Sequence, residues 1–83
     1  MKHQALILAS GAINPGADTL IFGALQPFVH EVIQTQRIDI AGHTIVAVLI
    51  SCDPAHIKAI QNELLETLKT SGLDIAIELV SDS

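Results

Sequence analysis

The chain is nearly free of aromatic residues: two phenylalanines, no tryptophan and no tyrosine in 83 residues. A core without rings must be filled by isoleucine, leucine, valine and alanine, the filling of a sheet with helices against it. Positive charge is also scarce. Four Lys and Arg face nine Asp and Glu, the net charge is −5, and Arg37 is the sole arginine. That balance argues against a nucleic-acid partner, which requires a positive patch to displace counterions. Cys52 stands alone. There is then no disulfide frame and no paired-cysteine metal site, and a reducing, cytoplasmic setting is expected. No apolar run approaches the ~20 residues of a membrane helix. Met1-Lys2-His3-Gln4 leads straight into a strand-like run, without the form of a signal peptide. No membrane partner is expected.

What is present is aliphatic. The chain is 49% hydrophobic with a mean hydropathy of +0.50, high for its length. A domain of this size buries only about 60–65% of its unfolded surface. Such a surplus implies that some apolar surface faces another copy or another domain. Residues 1–83 read as one domain, expected to be a piece of a longer chain.

The elements follow from periodicity. Ala5 to Ala9 is apolar at every position and too short for a buried helix, so it reads as a covered strand. Gly11-Ala12-Ile13-Asn14-Pro15-Gly16 then makes a turn. Asn14 is expected to cap a helix with Pro15 at its first position. Gly11 and Gly16 are expected to take backbone conformations closed to other residues. Leu20, Ile21, Ala24, Leu25 and Phe28 share one side of that helix, which should end or kink at Pro27.

His30 to Ala41 alternates weakly, as an edge strand does. A tight turn at Ala41-Gly42-His43 leads into Thr44–Ile50, apolar on both parities and read as a central strand. Asp53-Pro54 starts a second helix, with Ile57, Ile60, Leu64 and Leu68 as its stripe, Leu65 beside it and Gly72 as its stop. Leu73, Ile75, Ile77 and Leu79 form one face of a last strand, followed by a polar tail, Ser81-Asp82-Ser83.

The order βαββαβ predicts an α+β, ferredoxin-like fold: a four-stranded antiparallel sheet with two helices on one face. The first and third strands should be central, and they are the two with apolar residues on both parities. The opposite face has no cover within the chain.

The turn between the first strand and the first helix is the candidate site. A helix N-terminus offers backbone N–H groups to a carboxylate. Turn chemistry alone also accounts for these residues.

The motif Gly11-x-x-x-Pro15-Gly16, followed by a helix, an edge strand and a second half of the same kind, resembles the ACT domain, a regulatory module that binds amino acids and pairs with other copies. Within that family it is most similar to the N-terminal ACT domain of bacterial phosphoserine phosphatases. The matching stretches are Ile21-Phe22-Gly23-Ala24-Leu25, Glu31-Val32-Ile33, Val46–Cys52 and Gly72–Glu78. The resemblance implies ligand-binding positions at Gly11, Ala12, Ile13, Asn14 and Glu31. It implies serine or glycine as ligand, a second ACT domain or a homodimer as partner, and a place in serine biosynthesis. Ile13 departs from the family, which usually has Asp, Glu or Asn there, and cannot bind a ligand's polar ends. An assembly module that has lost its ligand is therefore the alternative.

No catalytic residue and no metal ligand is expected. The phosphatase reaction, with its expected Mg, needs an Asp-x-Asp motif that this chain lacks. Hence the domain itself carries no cofactor and its parent would be the enzyme. An acylphosphatase-like activity needs an arginine in the first loop, where none stands. His3, His30, His43 and His56 are dispersed and read as surface histidines. Cys52 reads as a buried small residue, and Arg37 as a surface partner of Asp39 or of another chain.

Overall fold

The computed structural model describes residues 3–80, so the polar tail lies outside the described residues. The elements are β1 (His3–Ala12), α1 (Ala17–Leu25), β2 (His30–Ile40), β3 (His43–Cys52), a 3-10 turn (Pro54–His56), α2 (Ile57–Leu68) and β4 (Asp74–Val80). The sheet order is β2-β3-β1-β4 and every pair is antiparallel. The expected fold and the expected central strands are both found.

Cross-strand partners share a face, so the register sorts the side chains. Ala5, Ile7 and Ala9 of β1 and Val46, Val48, Ile50 and Cys52 of β3 point to the helices and are fully buried. Against them lie Ala17, Ile21, Ala24 and Leu25 of α1 and Ile60, Leu64 and Leu68 of α2. Each large side chain in this layer contributes about 1.5–3 kcal/mol by leaving water. Leu65, beside the stripe, is half exposed.

The other face is bare. Leu6, Leu8, Ile45, Ala47 and Leu49 share it with Gln34, Gln36 and Ile38 of β2. Leu6, Gln34, Gln36, Ala47 and Leu49 line a shallow trough of about 220 Å³ there. This is the expected uncovered face.

Three local readings need correction. The first helix starts at Ala17, not Pro15. Asn14-Pro15-Gly16-Ala17 closes a β-turn first, in which the Ala17 N–H donates to the Asn14 carbonyl at 3.2 Å. Gly16, at φ −98° and ψ 12°, has the ordinary geometry of the third residue of a type I turn. Glycine is not required there for its φ. At Gly11 the reason is space: an added Cβ would lie 2.7 Å from the Gly72 carbonyl oxygen. The left-handed glycines are Gly42 in the β2–β3 turn and Gly72 after α2.

The second helix also begins late. Asp53 accepts a bond from the Ala55 N–H at 2.9 Å, but the turn it caps is 3-10. The α-helix proper starts at Ile57.

β2 carries a bulge between Val32 and Gln34. Val32 opposes Ile50 and Gln34 opposes Leu49, so Ile33 is the extra residue. Beyond it Thr35, Arg37 and Asp39 lie on the helix side.

Candidate functional site

The β1–α1 loop is fastened at three of its backbone donors, those of Ile13, Asn14 and Gly16. The Ile13 N–H donates to the Gly42 carbonyl at 2.9 Å, which ties the loop to the tip of the β2–β3 hairpin. The Asn14 N–H donates to Thr44 Oγ1 at 3.0 Å. The Gly16 N–H donates to Asn14 Oδ1 at 3.0 Å, an Asx turn. Pro15 has no N–H. The chain's own acceptors therefore take the Ile13, Asn14 and Gly16 donors of the carboxylate cradle expected at this helix N-terminus.

Thr44 explains how. It is the buried polar side chain of the core layer. Its hydroxyl accepts from Asn14 and donates to Asp39 Oδ1 at 2.8 Å. Both roles of the hydroxyl are thus used. That bond, and then the Arg37 guanidinium, hold the Asp39 carboxyl below its usual range.

Arg37 reaches the same loop from β2. Its Nη2 donates to the Asn14 carbonyl at 2.8 Å and its Nη1 to the Pro15 carbonyl at 3.1 Å. Its remaining partners are carboxylates. Nη1 lies 3.2 Å from Asp18 Oδ1, Nε 3.3 Å from Asp39 Oδ2 and Nη2 3.4 Å from Asp39 Oδ1. The expected pairing with Asp39 is present, but the larger role is the grip on the loop. The first loop lacks an arginine in sequence and receives one in space.

Of the expected ligand positions, Gly11, Ala12, Ile13 and Asn14 are contiguous at one end of the sheet. Glu31 is at the other. Glu31 opposes Ser51 on β3 while Gly11 opposes Thr44, seven positions away. That is roughly 23 Å at about 3.3 Å per residue. Within one chain Glu31 does not meet the loop. Ile13 is exposed at 56% and places an apolar side chain at the mouth of the site.

Sequence reading missed Thr44, Asp18 and the reach of Arg37. Thr44 had a signal: it is a hydroxyl at the head of a parity otherwise filled by Val46, Val48 and Ile50. Arg37 had none, because the bulge sets the face it occupies.

The far end of the sheet is different. His3, Cys52 and His30 sit side by side on neighbouring strands. His30 Nδ1 lies 2.7 Å from the Phe28 carbonyl, and the Phe28 ring lies 6.4 Å from that of His56. His3 Nδ1 and His56 Nδ1 are buried and have no hydrogen-bond partner. These two are not the plain surface histidines that the sequence suggested. Cys52 is free and buried, as expected, and burial with the nearby Asp53 charge pushes its thiol pKa up. Among the described residues no group of three or more His, Cys, Asp or Glu is arranged to hold a metal ion. Nor is any described helix long and apolar enough to cross a membrane.

A family model described as the ACT domain matches residues 3–78. The phosphoserine phosphatase SerB2 of Mycobacterium tuberculosis is 30% identical over 83 residues, covering 98% of this chain and 20% of that protein. The chain thus spans a fifth of the curated relative it matches. Among solved structures, a putative glycine cleavage system transcriptional repressor superposes with a TM-score of 0.86 at 17% identity, over 100% of this chain and 48% of that one. An ACT domain protein from Streptococcus pneumoniae gives 0.79 at 15% identity, over 93% of this chain and 89% of that one. At such identities these structures support the fold alone.

Proposed function

Since the chain belongs to the ACT domain family, a family of regulatory modules, we propose that it is the amino-acid-sensing domain of a phosphoserine phosphatase, acting in the cytoplasm within serine biosynthesis. Serine or glycine is the ligand, at Gly11, Ala12, Ile13 and Asn14. The observation that carries this reading is the 30% identity to a phosphoserine phosphatase along 98% of the chain. Catalysis and its Mg belong to another part of the parent protein. The described residues of this domain present no metal-holding group that fits the ion.

The domain works as a pair, with a second copy or a second ACT domain. Glu31 is remote from the loop of its own chain, so its contribution as an acceptor for the ligand ammonium comes from the partner copy. An antiparallel pairing along the β2 edges would bring the Glu31 end of one copy to the loop end of the other. Val32, Ile33, Ile38 and Ile40 leave that edge apolar and exposed.

One observation favours the alternative, an assembly module without a ligand: three loop donors are engaged within the chain and the apolar Ile13 stands exposed beside them. Titration of the paired form with serine and glycine at millimolar levels separates the two. Sensing requires that the amide resonances of Gly11 to Gly16 shift more than those of α2. Ile13→Asp, which supplies the polar group usual in the family, should tighten binding. If no common amino acid moves the loop resonances of the parent or of this variant, the assembly reading stands.

A further inference from the structure

With the Ile13, Asn14 and Gly16 N–H groups taken, the cation nearest the candidate site is the Arg37 guanidinium, and its charge is loosely matched. Its contacts to Asp18 and Asp39 measure 3.2 to 3.4 Å. Tight charge-assisted N–H···O bonds measure about 2.7–2.9 Å. The short bond is to the neutral Asn14 carbonyl, at 2.8 Å. Arg37 keeps 24% of its side-chain surface exposed, Asp18 40% and Asp39 43%, so solvent reaches every member of the group.

We propose that Arg37 is a ligand-binding residue of the candidate site, the group that receives a carboxylate, and that Asp18 and Asp39 occupy it while the site is empty. The inference rests on the sensing reading and deepens it. A planar fork accepts a carboxylate through two parallel bonds, which an ammonium cannot do. A ligand carboxylate therefore replaces the loose Asp contacts with a close bidentate pair. An amino acid brings its own cation, and the displaced Asp18 lies beside it as an acceptor. The carbonyls of Asn14 and Pro15 hold the guanidinium at the loop throughout.

The test uses the whole domain, with serine, acetate and inorganic phosphate as probes. The readouts are the Arg37 Nε–H resonance and the dissociation constant. Serine and acetate are expected to move the Nε–H signal. Arg37→Met and Arg37→Lys should each weaken serine binding by about tenfold or more, the scale of a lost charged hydrogen bond. Asp39→Asn should tighten it, because a competing carboxylate has gone. A merely structural arginine would not produce that gain. The core resonances of α2 report whether each variant is folded.

The proposal fails if Arg37→Met binds serine as the parent does, which leaves the sensing reading intact. It also fails if acetate and serine leave the Nε–H signal unmoved, or if phosphate alone moves it. If acetate moves the signal but no amino acid binds, Arg37 is a carboxylate site and the sensing reading is the one that falls.

Discussion

The two ends of this sheet solve the burial of polar groups in opposite ways. At the loop end Thr44 is buried and satisfied twice over, Asn14 uses its N–H, carbonyl and side chain, and the Arg37 fork makes five hydrogen bonds. At the far end two imidazole nitrogens are buried with nothing to bond. A buried polar atom without a partner costs about 1–3 kcal/mol. The comparison teaches that polarity in the core layer is stabilising only where a network completes it. The order at the loop end is therefore a property of the network as a whole and not of the turn sequence.

Removing the centre of that network should have the largest effect. Thr44→Val leaves the Asn14 N–H without its acceptor and Asp39 without its first hydrogen bond. It should destabilise the domain by about 1–3 kcal/mol, read from the urea midpoint at neutral pH. Acid should then narrow the gap. The folded-state pKa of Asp39 is depressed below the ordinary 3.8. Its contribution is thus present above that value and lost as pH falls through the folded pKa. The variant has less depression to lose, so the gap between parent and variant should narrow as the pH falls below 3.8, leaving the part due to the Asn14 N–H. A gap that stays constant with pH would detach Asp39 from the effect.

The far end should respond with the opposite sign. His56→Phe removes an unpartnered nitrogen and keeps a ring against Phe28. A gain of about 1 kcal/mol is expected in thermal or urea unfolding. A loss would mean that His56 finds a partner in solution, and the contrast between the ends would weaken.

The smallest effect sharpens the loop end. Ala41 has φ 53° and Gly42 φ 77° in the two-residue turn of the β2–β3 hairpin. That turn type favours Asn at the first place and Gly at the second. Ala41→Asn should add about 0.5 kcal/mol, since Asn tolerates the left-handed region better than Ala. An unchanged midpoint would show that the Ile13–Gly42 bond already sets the turn.

The fold was legible because it is written in local periods. Ile57, Ile60, Leu64 and Leu68 mark a helix by spacing alone, and Thr44 to Ile50 marks a buried strand by composition. The candidate site was legible only as a loop. Gly11 to Asn14 form the loop, but their partners Arg37, Gly42 and Thr44 come from the β2–β3 hairpin, more than twenty residues on. Nothing in the spacing of a turn shows whether its N–H groups face solvent or a threonine. Glu31 was grouped with the loop by resemblance to a family and not by a period. The register then set it at the other end of the sheet.

The extra residue in β2 works like a frameshift. Alternation gives a strand two phases, and an odd insertion exchanges them for everything downstream. Were the ladder regular from Val32 onward, Arg37 would stand opposite Ile45 and point away from the loop. Ile33 restores the phase that carries Arg37 to Asn14. The arrangement is also asymmetric toward changes of length. Loss of Ile33 together with its bulge leaves Val32 and Gln34 opposite Ile50 and Leu49, on their present faces. Filling the same stretch as a continuous ladder inverts the strand. A chain one residue shorter at this point can keep the arginine on its side of the sheet, and a chain of equal length without the bulge cannot.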